Sequence, residues 1–404
     1  MKKVLRKTLG LIRLPRMYDL PLLFYCVVLS LIGVVFIGSA TITSDETVVH
    51  DVMSSVIKQL IFLGISLFMM MIVSNIYSDK LAKKLLIPIV LGVFGLLMLC
   101  LLMPSQYNAK GWIILPLPGP TVSIQPSEFA KAAMVLLIAY TMCNRPKTAT
   151  FWDLVKVPAF VCIVYVLVIW RLQNDFGSAA VIFMVTFLTM MIPYHRNLKK
   201  GHRILFGAMV FVLLLLLYLM SPAGEGLLSK IPMEEYQKWR FRNVSNPFGD
   251  FYETGYQVGN SLIAFSRGGL TGVGLGKSVQ KFGYLPKAYN DFIFAVVAEE
   301  GGFLVAGIVL LLFAGVIKRL LQYAFRAQRQ EHKVILFGTC AYLFVHILLN
   351  IGGASAFIPL TGVPLLMLSQ GGTSLMTWYM MLGVSEHIIA TIRRGEEEGV
   401  VYSE

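Results

Sequence analysis

Long apolar blocks with few charged residues constrain the fold of this chain more than any other feature. We count ten, near residues 20–42, 57–74, 82–103, 128–143, 157–171, 176–193, 203–220, 292–317, 334–351 and 365–392. About 20 apolar residues in a helix cross a bilayer core of about 30 Å. Charged residues make up only 14% of the 404, whereas soluble domains have about 25%. The sequence therefore predicts an all-α polytopic membrane protein with ten transmembrane helices.

Positive charge predicts the orientation of these helices. An even number of spans places both termini on one side, and Lys and Arg accumulate in short cytoplasmic segments. With the termini inside, the inner segments carry 23 Lys and Arg residues, and each short outer segment carries one or none. Both termini are thus predicted to be cytoplasmic. The net charge of +13 follows from this arrangement, and we expect no nucleic acid as a partner.

A large extracellular loop, residues 221–291, connects the predicted helices 7 and 8. It carries eight Lys and Arg residues, but long loops largely escape the positive-inside rule. Loops of this length are uncommon unless they are functional or disordered. This loop has six aromatic residues between Trp239 and Tyr256, too many for a disordered segment. We predict a folded, functional loop within a single membrane domain, 1–404.

Five ionisable residues lie at the outer ends of separate apolar blocks. Glu128 and Lys131 begin the fourth block, Arg171 ends the fifth, Asp175 opens the sixth and Asp291 opens the eighth. Charges at membrane depth are costly and are functional candidates by default. Their common location predicts a polar pocket that is open to the outside.

Each of these residues also has a structural interpretation. Glu128 and Lys131 are three residues apart and can form an ion pair on one helical face. Arg171 can extend its side chain to the membrane interface, which is the interpretation we favour for it. Asp175 and Asp291 each precede an apolar run, where an aspartate can cap a helix. The sequence leaves function and structure open at the other four positions.

Three further features favour structural roles. Glu299 and Glu300 lie deeper in the eighth block than Asp291, where a helix bundle can pair them internally. The glycine-rich run at 268–276 lacks the strand-to-helix context of a nucleotide-binding loop, so we expect a flexible or closely packed backbone there. The five cysteines show neither a disulfide framework nor metal-ligand spacing.

Several stretches, spread over most of the chain, resemble one known family. Residues 124–131 (IQPSEFAK) are similar to its QPSE-x-x-K segment, and residues 173–178 (QNDFGS) to its Q-P-D-x-G-T segment. Residues 256–269 match the region before its catalytic segment, and residues 284–295 (YLPKAYNDFIFA) resemble its LPEAHTDFIFA run. The chain therefore resembles the SEDS family (shape, elongation, division and sporulation) of peptidoglycan glycosyltransferases, which have ten helices and a large outer loop before the eighth.

The sequence departs from the family pattern beside the key aspartate. Lys287 replaces an acidic residue, and Tyr289 and Asn290 replace His and Thr. Residues 364–374 lack the aromatic residues of the family's PFISYGGSS segment. These changes alter the surroundings of Asp291 but keep the aspartate itself. The run at 280–286 is nearer to the division and sporulation branch than to the elongation branch.

The resemblance implies a reaction and a site. Family members polymerise lipid II, a disaccharide-pentapeptide on undecaprenyl pyrophosphate, into β-1,4-linked glycan at the outer face of the bacterial cytoplasmic membrane. Because the leaving pyrophosphate is already a stable anion, one carboxylate that takes the acceptor hydroxyl's proton suffices for an inverting transfer. Asp291 is the expected catalytic base. The expected substrate-binding residues are Glu128, Lys131, Asp175, Arg240, Arg242, Gln257 and Lys277.

The resemblance also implies partners. A class B penicillin-binding protein, which is a transpeptidase, is the expected partner, with other proteins of the division or elongation complex. Cationic side chains would hold the pyrophosphate, and a divalent cation such as Mg²⁺ or Mn²⁺ could do the same. Two other functions are a lipid II flippase and a non-enzymatic scaffold. A flippase needs ionisable groups along the whole crossing, whereas the charges here gather at the outer face, which favours an enzyme.

Overall fold

A long helix occupies each of the ten apolar blocks in the computed structural model, which describes residues 17–42, 48–105, 109–115, 122–143, 145–146, 148–231, 235–253, 255–286 and 288–398. Lys287 and the basic residues before Met17 lie outside the described residues. In chain order, with the shorter helices of the outer loop included, the helices are α1 Leu20–Ala40, α2 Val48–Ile76, α3 Asp79–Cys100, α4 Pro126–Met142, α5 Phe151–Leu167, α6 Phe176–Met190, α7 Leu198–Leu219, α8 Glu225–Leu228, α9 Glu235–Ser245, α10 Tyr256–Gly268, α11 Ile293–Arg326, α12 Gln330–Ala354 and α13 Gly372–Glu397.

Seven helices of the described chain are long and apolar enough to cross a membrane: α1, Val52–Ile76 of α2, α3, α5 with its π-helical extension to Leu172, α7, α11 and α12. The predicted class, a polytopic helical membrane protein, is confirmed. Helices α4 and α6 have only 17 and 15 residues, and α13 is long but more polar. The number of ten spans therefore remains a prediction.

The structure departs from the all-α prediction at one small hairpin. Strand β1 (Ile113–Leu115) pairs with strand β2 (Val122–Ile124) in antiparallel register, with Ile113 opposite Ile124. Each strand has three residues, which is too short for an alternating pattern to be read from the sequence. The hairpin leads directly into α4 and so fixes the start of that helix.

Helix starts follow from local sequence signals. Asp19 precedes α1 and accepts a hydrogen bond from the Leu22 backbone N–H, and Ser78 does the same for the first turn of α3. Thr150 and Asp153 form a reciprocal capping box at the start of α5. Such caps satisfy backbone donors that have no partner within the helix.

Helix α12 lies near the centre of the bundle, and α7 lies at its edge. Of the most apolar 18-residue window, 67% is buried in α12 and only 6% in α7. Helices α4, α6 and α11 pack against α12, and α2 packs along α13. Charged side chains in the first turn of α4 and just before α6 and α11 are thereby brought close together.

Helix α11 is broken at Gly302, whose φ is 66°. A left-handed backbone of this kind is accessible to glycine at little cost. The glycine-rich run packs into the break: the backbone N–H groups of Val273 and Gly274 donate to the carbonyls of Glu299 and Glu300. A Cβ at Gly272 would lie 2.1 Å from the Glu300 carbonyl oxygen. Of the two alternatives for 268–276, a flexible or a closely packed backbone, the structure shows the closely packed one.

The side chains of Glu299 and Glu300 anchor the outer loop to this break. Glu299 accepts hydrogen bonds from the Ser278 hydroxyl and from the backbone N–H of Val279. The carboxylate of Glu300 pairs with Lys281 at 3.0 Å, and neither side chain is exposed. We predicted internal pairing for both carboxylates, and the structure confirms it.

Replacing Lys281 by Met should destabilise the protein by about 3–5 kcal/mol, because Glu300 would be left as an uncompensated buried charge. Unfolding by SDS titration of the purified protein in mixed micelles measures the loss. Lys277→Met, a change at an exposed lysine of the same loop, should leave the stability unchanged. The double variant Lys281→Met/Glu300→Leu should recover most of the loss. Equal stability of the Lys281→Met and Lys277→Met proteins would contradict the pairing.

Candidate active site

A polar cavity of about 380 Å³ is enclosed by α2, α4, α6 and the segments that precede α11 and α13. Four predicted site residues line it together: Glu128, Lys131, Asp175 and Asp291. Glu128 and Lys131 both lie on α4, and Asp175 and Asp291 lie just before α6 and α11. The fifth, Arg171, is absent from the lining and stacks its guanidinium 4.5 Å over the Trp170 ring.

Glu128 and Lys131 form a buried ion pair. Lys131 Nζ lies 2.7 Å from Glu128 Oε1, and both side chains are 1% exposed. The Tyr342 hydroxyl donates to the second Glu128 oxygen at 2.9 Å. The predicted pairing is therefore confirmed. Because both residues also line the cavity, the pair presents a fixed positive and a fixed negative charge to whatever binds there.

Two hydrogen-bonded groups, the Glu128 carboxylate and the His346 ring, fix the position of the Lys131 ammonium group. His346 Nε2 lies 3.2 Å from Lys131 Nζ, and His346 Nδ1 lies 2.8 Å from the Pro364 carbonyl oxygen. A carbonyl can only accept, so Nδ1 carries the proton and Nε2 accepts from the lysine. His346 thus connects Lys131 to the segment that precedes α13.

Asp175 caps a helix and also lines the cavity. Its Oδ1 accepts from the Ser178 backbone N–H at 2.9 Å and caps α6. Its Oδ2 accepts from the Gln125 amide at 3.1 Å, and the same amide nitrogen donates to the Ser178 hydroxyl. The cap is confirmed, and the second oxygen lies at the cavity wall.

Asp291 does not occupy the cap position of α11. The helix begins at Ile293, and the cap residue Phe292 makes no side-chain cap bond. The Asn350 amide donates to the Asp291 backbone carbonyl at 3.0 Å and so holds this residue against α12. A Cβ at Gly362 would lie 3.6 Å from Asp291 Oδ2, so the absence of a side chain there leaves room beside the carboxylate.

Two further predicted residues, Arg240 and Gln257, line a second cavity of about 280 Å³ on the outer loop. Arg240 donates to the Leu360 carbonyl oxygen at 2.8 Å. Leu360 lines this cavity and Gly362 lines the first, so one short segment separates the two.

The remaining predicted residues, Arg242 and Lys277, line neither cavity. Arg242 pairs with Glu225 at 2.6 Å and with Glu235 at 3.7 Å. Its hydrogen bond lowers the pKa of Glu225 below the usual value for a glutamate. Lys277 is exposed. Positive charge alone did not specify which loop residues reach the cavities.

The sequence did not single out several polar residues in or beside the apolar blocks that line the cavity or hold its residues, namely Lys58, Gln59, Gln125, Tyr342, His346 and Asn350. The buried histidine of α12 carried a usable signal, because an ionisable side chain inside a membrane helix is a functional candidate. Within the described residues, no group of three His, Cys, Asp or Glu side chains could hold a metal ion.

Comparison with known proteins gives a consistent picture. A family profile described as "Cell cycle protein", covering FtsW, RodA and SpoVE, matches residues 20–394. Stage V sporulation protein E of Bacillus subtilis is 31% identical over 91% of this chain and 95% of its own length. A probable peptidoglycan glycosyltransferase FtsW of Haemophilus influenzae is 30% identical over 91% of this chain and 89% of its own length.

Two solved structures share the fold. A chain from a peptidoglycan synthase complex that coordinates polymerization and crosslinking has a TM-score of 0.71 and 24% identity, covering 94% of this chain and 98% of that one. The rod shape determining protein RodA of Thermus thermophilus has a TM-score of 0.62 and 23% identity, covering 96% of this chain and 99% of that one.

Replacing Asp175 by Ala should destabilise the protein by about 1 kcal/mol, because it removes the cap of α6. Asp175→Asn should cost much less, because an asparagine oxygen can accept the same bond. The thermal unfolding midpoint of each purified variant measures the difference. Equal losses for Ala and Asn would mean that the carboxylate charge, and not the cap, stabilises this position.

Proposed function

Because the chain belongs to the FtsW, RodA and SpoVE family of cell cycle proteins, we propose that it is a peptidoglycan glycosyltransferase of the cytoplasmic membrane. It polymerises lipid II into β-1,4-linked glycan at the outer face. The observation that supports this most is the joint placement of Asp291 and Lys131 in one polar cavity. A base and a fixed cation are the two groups that transfer from a pyrophosphate-linked sugar requires.

The proposed reaction uses Asp291 as general base. Its carboxylate takes the proton of the GlcNAc 4-hydroxyl, and that oxygen attacks C1 of the MurNAc unit of the donor. The bond from C1 to the pyrophosphate oxygen breaks as the new glycosidic bond forms, with inversion at C1. The pyrophosphate leaves with the bonding electron pair and needs no general acid.

The outer location of this chemistry requires a defined topology. We propose ten spans formed by α1–α7 and α11–α13, with both termini in the cytoplasm and residues 221–291 outside. The chain then forms one membrane domain over 1–404. Helices α4 and α6 are short for a span, but each is preceded by ordered structure that can extend it, the hairpin before α4 and the capping turn before α6.

A class B penicillin-binding protein is the proposed partner, with other proteins of the division or elongation complex. The fold match to a chain of a peptidoglycan synthase complex supports this proposal. The peripheral helix α7 and the outer helices α8–α10 offer surface that the rest of the chain does not cover. The relatives named FtsW and SpoVE favour division or sporulation.

A flippase and a scaffold remain the competing functions. A flippase would carry lipid II across the bilayer and would need polar groups accessible from both sides. The polar cavity described here lies beside the outer helix ends. A scaffold would use neither the cavity nor Asp291, so the loss of that carboxylate separates a scaffold from an enzyme.

Replacing Asp291 by Asn should reduce glycan polymerisation by at least about 10²-fold, because a general base typically contributes 10²–10⁴ in rate. The chain would be purified with its cognate penicillin-binding protein and supplied with labelled lipid II. The polymer would be separated on a gel, with moenomycin present to silence any contaminating classical polymerase.

Asp250→Asn is the matched control, since Asp250 is an exposed aspartate of the same loop. It should polymerise at the wild-type rate. Equal polymer from wild type and a folded Asp291→Asn protein would contradict the assignment of the base. No polymer from any form of an intact complex would contradict the glycosyltransferase function itself.

A further inference from the structure

Gln59 of α2 has a buried side chain without a partner, and it faces the first cavity. The residue is 1% exposed, and within the described residues neither Nε2 nor Oε1 of its amide has a hydrogen-bond partner. It lines the same cavity as Asp291. A buried amide without partners costs stability. The position of this amide at a cavity wall indicates that a ligand supplies the hydrogen bonds that it lacks.

Comparison with Ser66, a second buried polar residue of the same helix, shows what distinguishes Gln59. Ser66 lies two turns further along α2, is also fully buried, and its hydroxyl also lacks a partner among the described residues. Ser66 lines neither cavity. Its hydroxyl can turn to a carbonyl of its own helix, as serines in membrane helices commonly do. The longer amide of Gln59 has no such local partner.

The chemistry of the amide selects its ligand. An amide offers donors on nitrogen and an acceptor on oxygen, whichever way the two atoms are assigned. Phosphate oxygens only accept, so a pyrophosphate cannot satisfy Gln59 Oε1. Sugar hydroxyls both donate and accept, and an acetamido group offers an N–H and a C=O. The neighbouring Lys58 has only donors and suits the pyrophosphate.

A second residue of the cavity lining repeats this pattern. Asn290 precedes Asp291 and lines the same cavity, and its Oδ1 is likewise buried without a partner among the described residues. Two amide side chains therefore face the space beside the proposed base. We infer that Gln59, with Asn290, binds the hydroxyl or acetamido groups of the saccharide of lipid II, and that Lys58 binds its pyrophosphate. This inference rests on the proposed function and divides the cavity into a sugar subsite and a phosphate subsite.

This division can be tested with two ligands, of which only one carries the sugar. Lipid II carries the disaccharide, and undecaprenyl pyrophosphate carries none. Gln59→Met, which keeps the length of the side chain, should weaken lipid II binding by about tenfold, as expected for one or two buried hydrogen bonds. It should leave the binding of undecaprenyl pyrophosphate within about twofold. Binding would be measured with the purified full-length chain in detergent micelles.

Two matched variants complete the design. Lys58→Met should weaken the binding of both lipids, because both carry the pyrophosphate. Ser66→Ala removes a buried hydroxyl that does not line the cavity, and it should weaken the binding of neither lipid. Without ligand, Gln59→Met should unfold at the wild-type temperature or above it, because an apolar side chain replaces an unsatisfied amide. A lower unfolding temperature would mean that Gln59 stabilises the fold, and it would overturn the inference.

Each remaining outcome has a distinct meaning. Equal weakening of both lipids by Gln59→Met would assign the residue to the pyrophosphate and contradict the sugar subsite. Unchanged binding of lipid II would show that the amide is merely hydrated, which also contradicts the subsite. Failure of the wild-type chain to bind lipid II would contradict the proposed function, and the inference with it.

Discussion

Charged and polar groups at membrane depth must find partners inside the protein, because lipid offers none, and this requirement organises the structure around the cavity beside Asp291. Its clearest expression is the buried pair of Glu300 and Lys281. Together with Glu299, which holds Ser278, this pair ties the outer loop to the break in α11. The segment that leads to Asp291 is thereby anchored at its beginning, and α12 holds its end. The cavity depends on both attachments.

The same requirement distinguishes two kinds of polar residue around the cavity. Glu128 and Lys131 pair with each other and are held by Tyr342 and His346. Both charged side chains therefore keep their positions without ligand. Gln59 instead faces the cavity without a partner in the described chain. Paired charges give the cavity a permanent field, and an unsatisfied amide gives it selectivity, since a ligand that fails to satisfy a buried polar group binds weakly.

The sequence predicted the parts of the site that depend on local spacing. The i,i+3 pair of Glu128 and Lys131 and the cap by Asp175 can be read from a few neighbouring residues, and the structure contains both. Contacts between distant helices could not be read in this way. His346 meets Lys131 across 215 positions, and nothing in its apolar block indicates which helix it faces. Charge was equally uninformative in the loop, where Arg242 pairs with local glutamates and lines neither cavity.

The central claim is that the cavity beside Asp291 binds the head group of lipid II. An experimental structure of the Asp291→Asn protein with bound lipid II tests it most directly, because the substrate would be trapped before reaction. The account predicts a sugar hydroxyl within about 3 Å of the side chain at position 291, and the undecaprenyl chain leaving between helices. A lipid II head group bound only in the second cavity, or outside both cavities, would contradict the account.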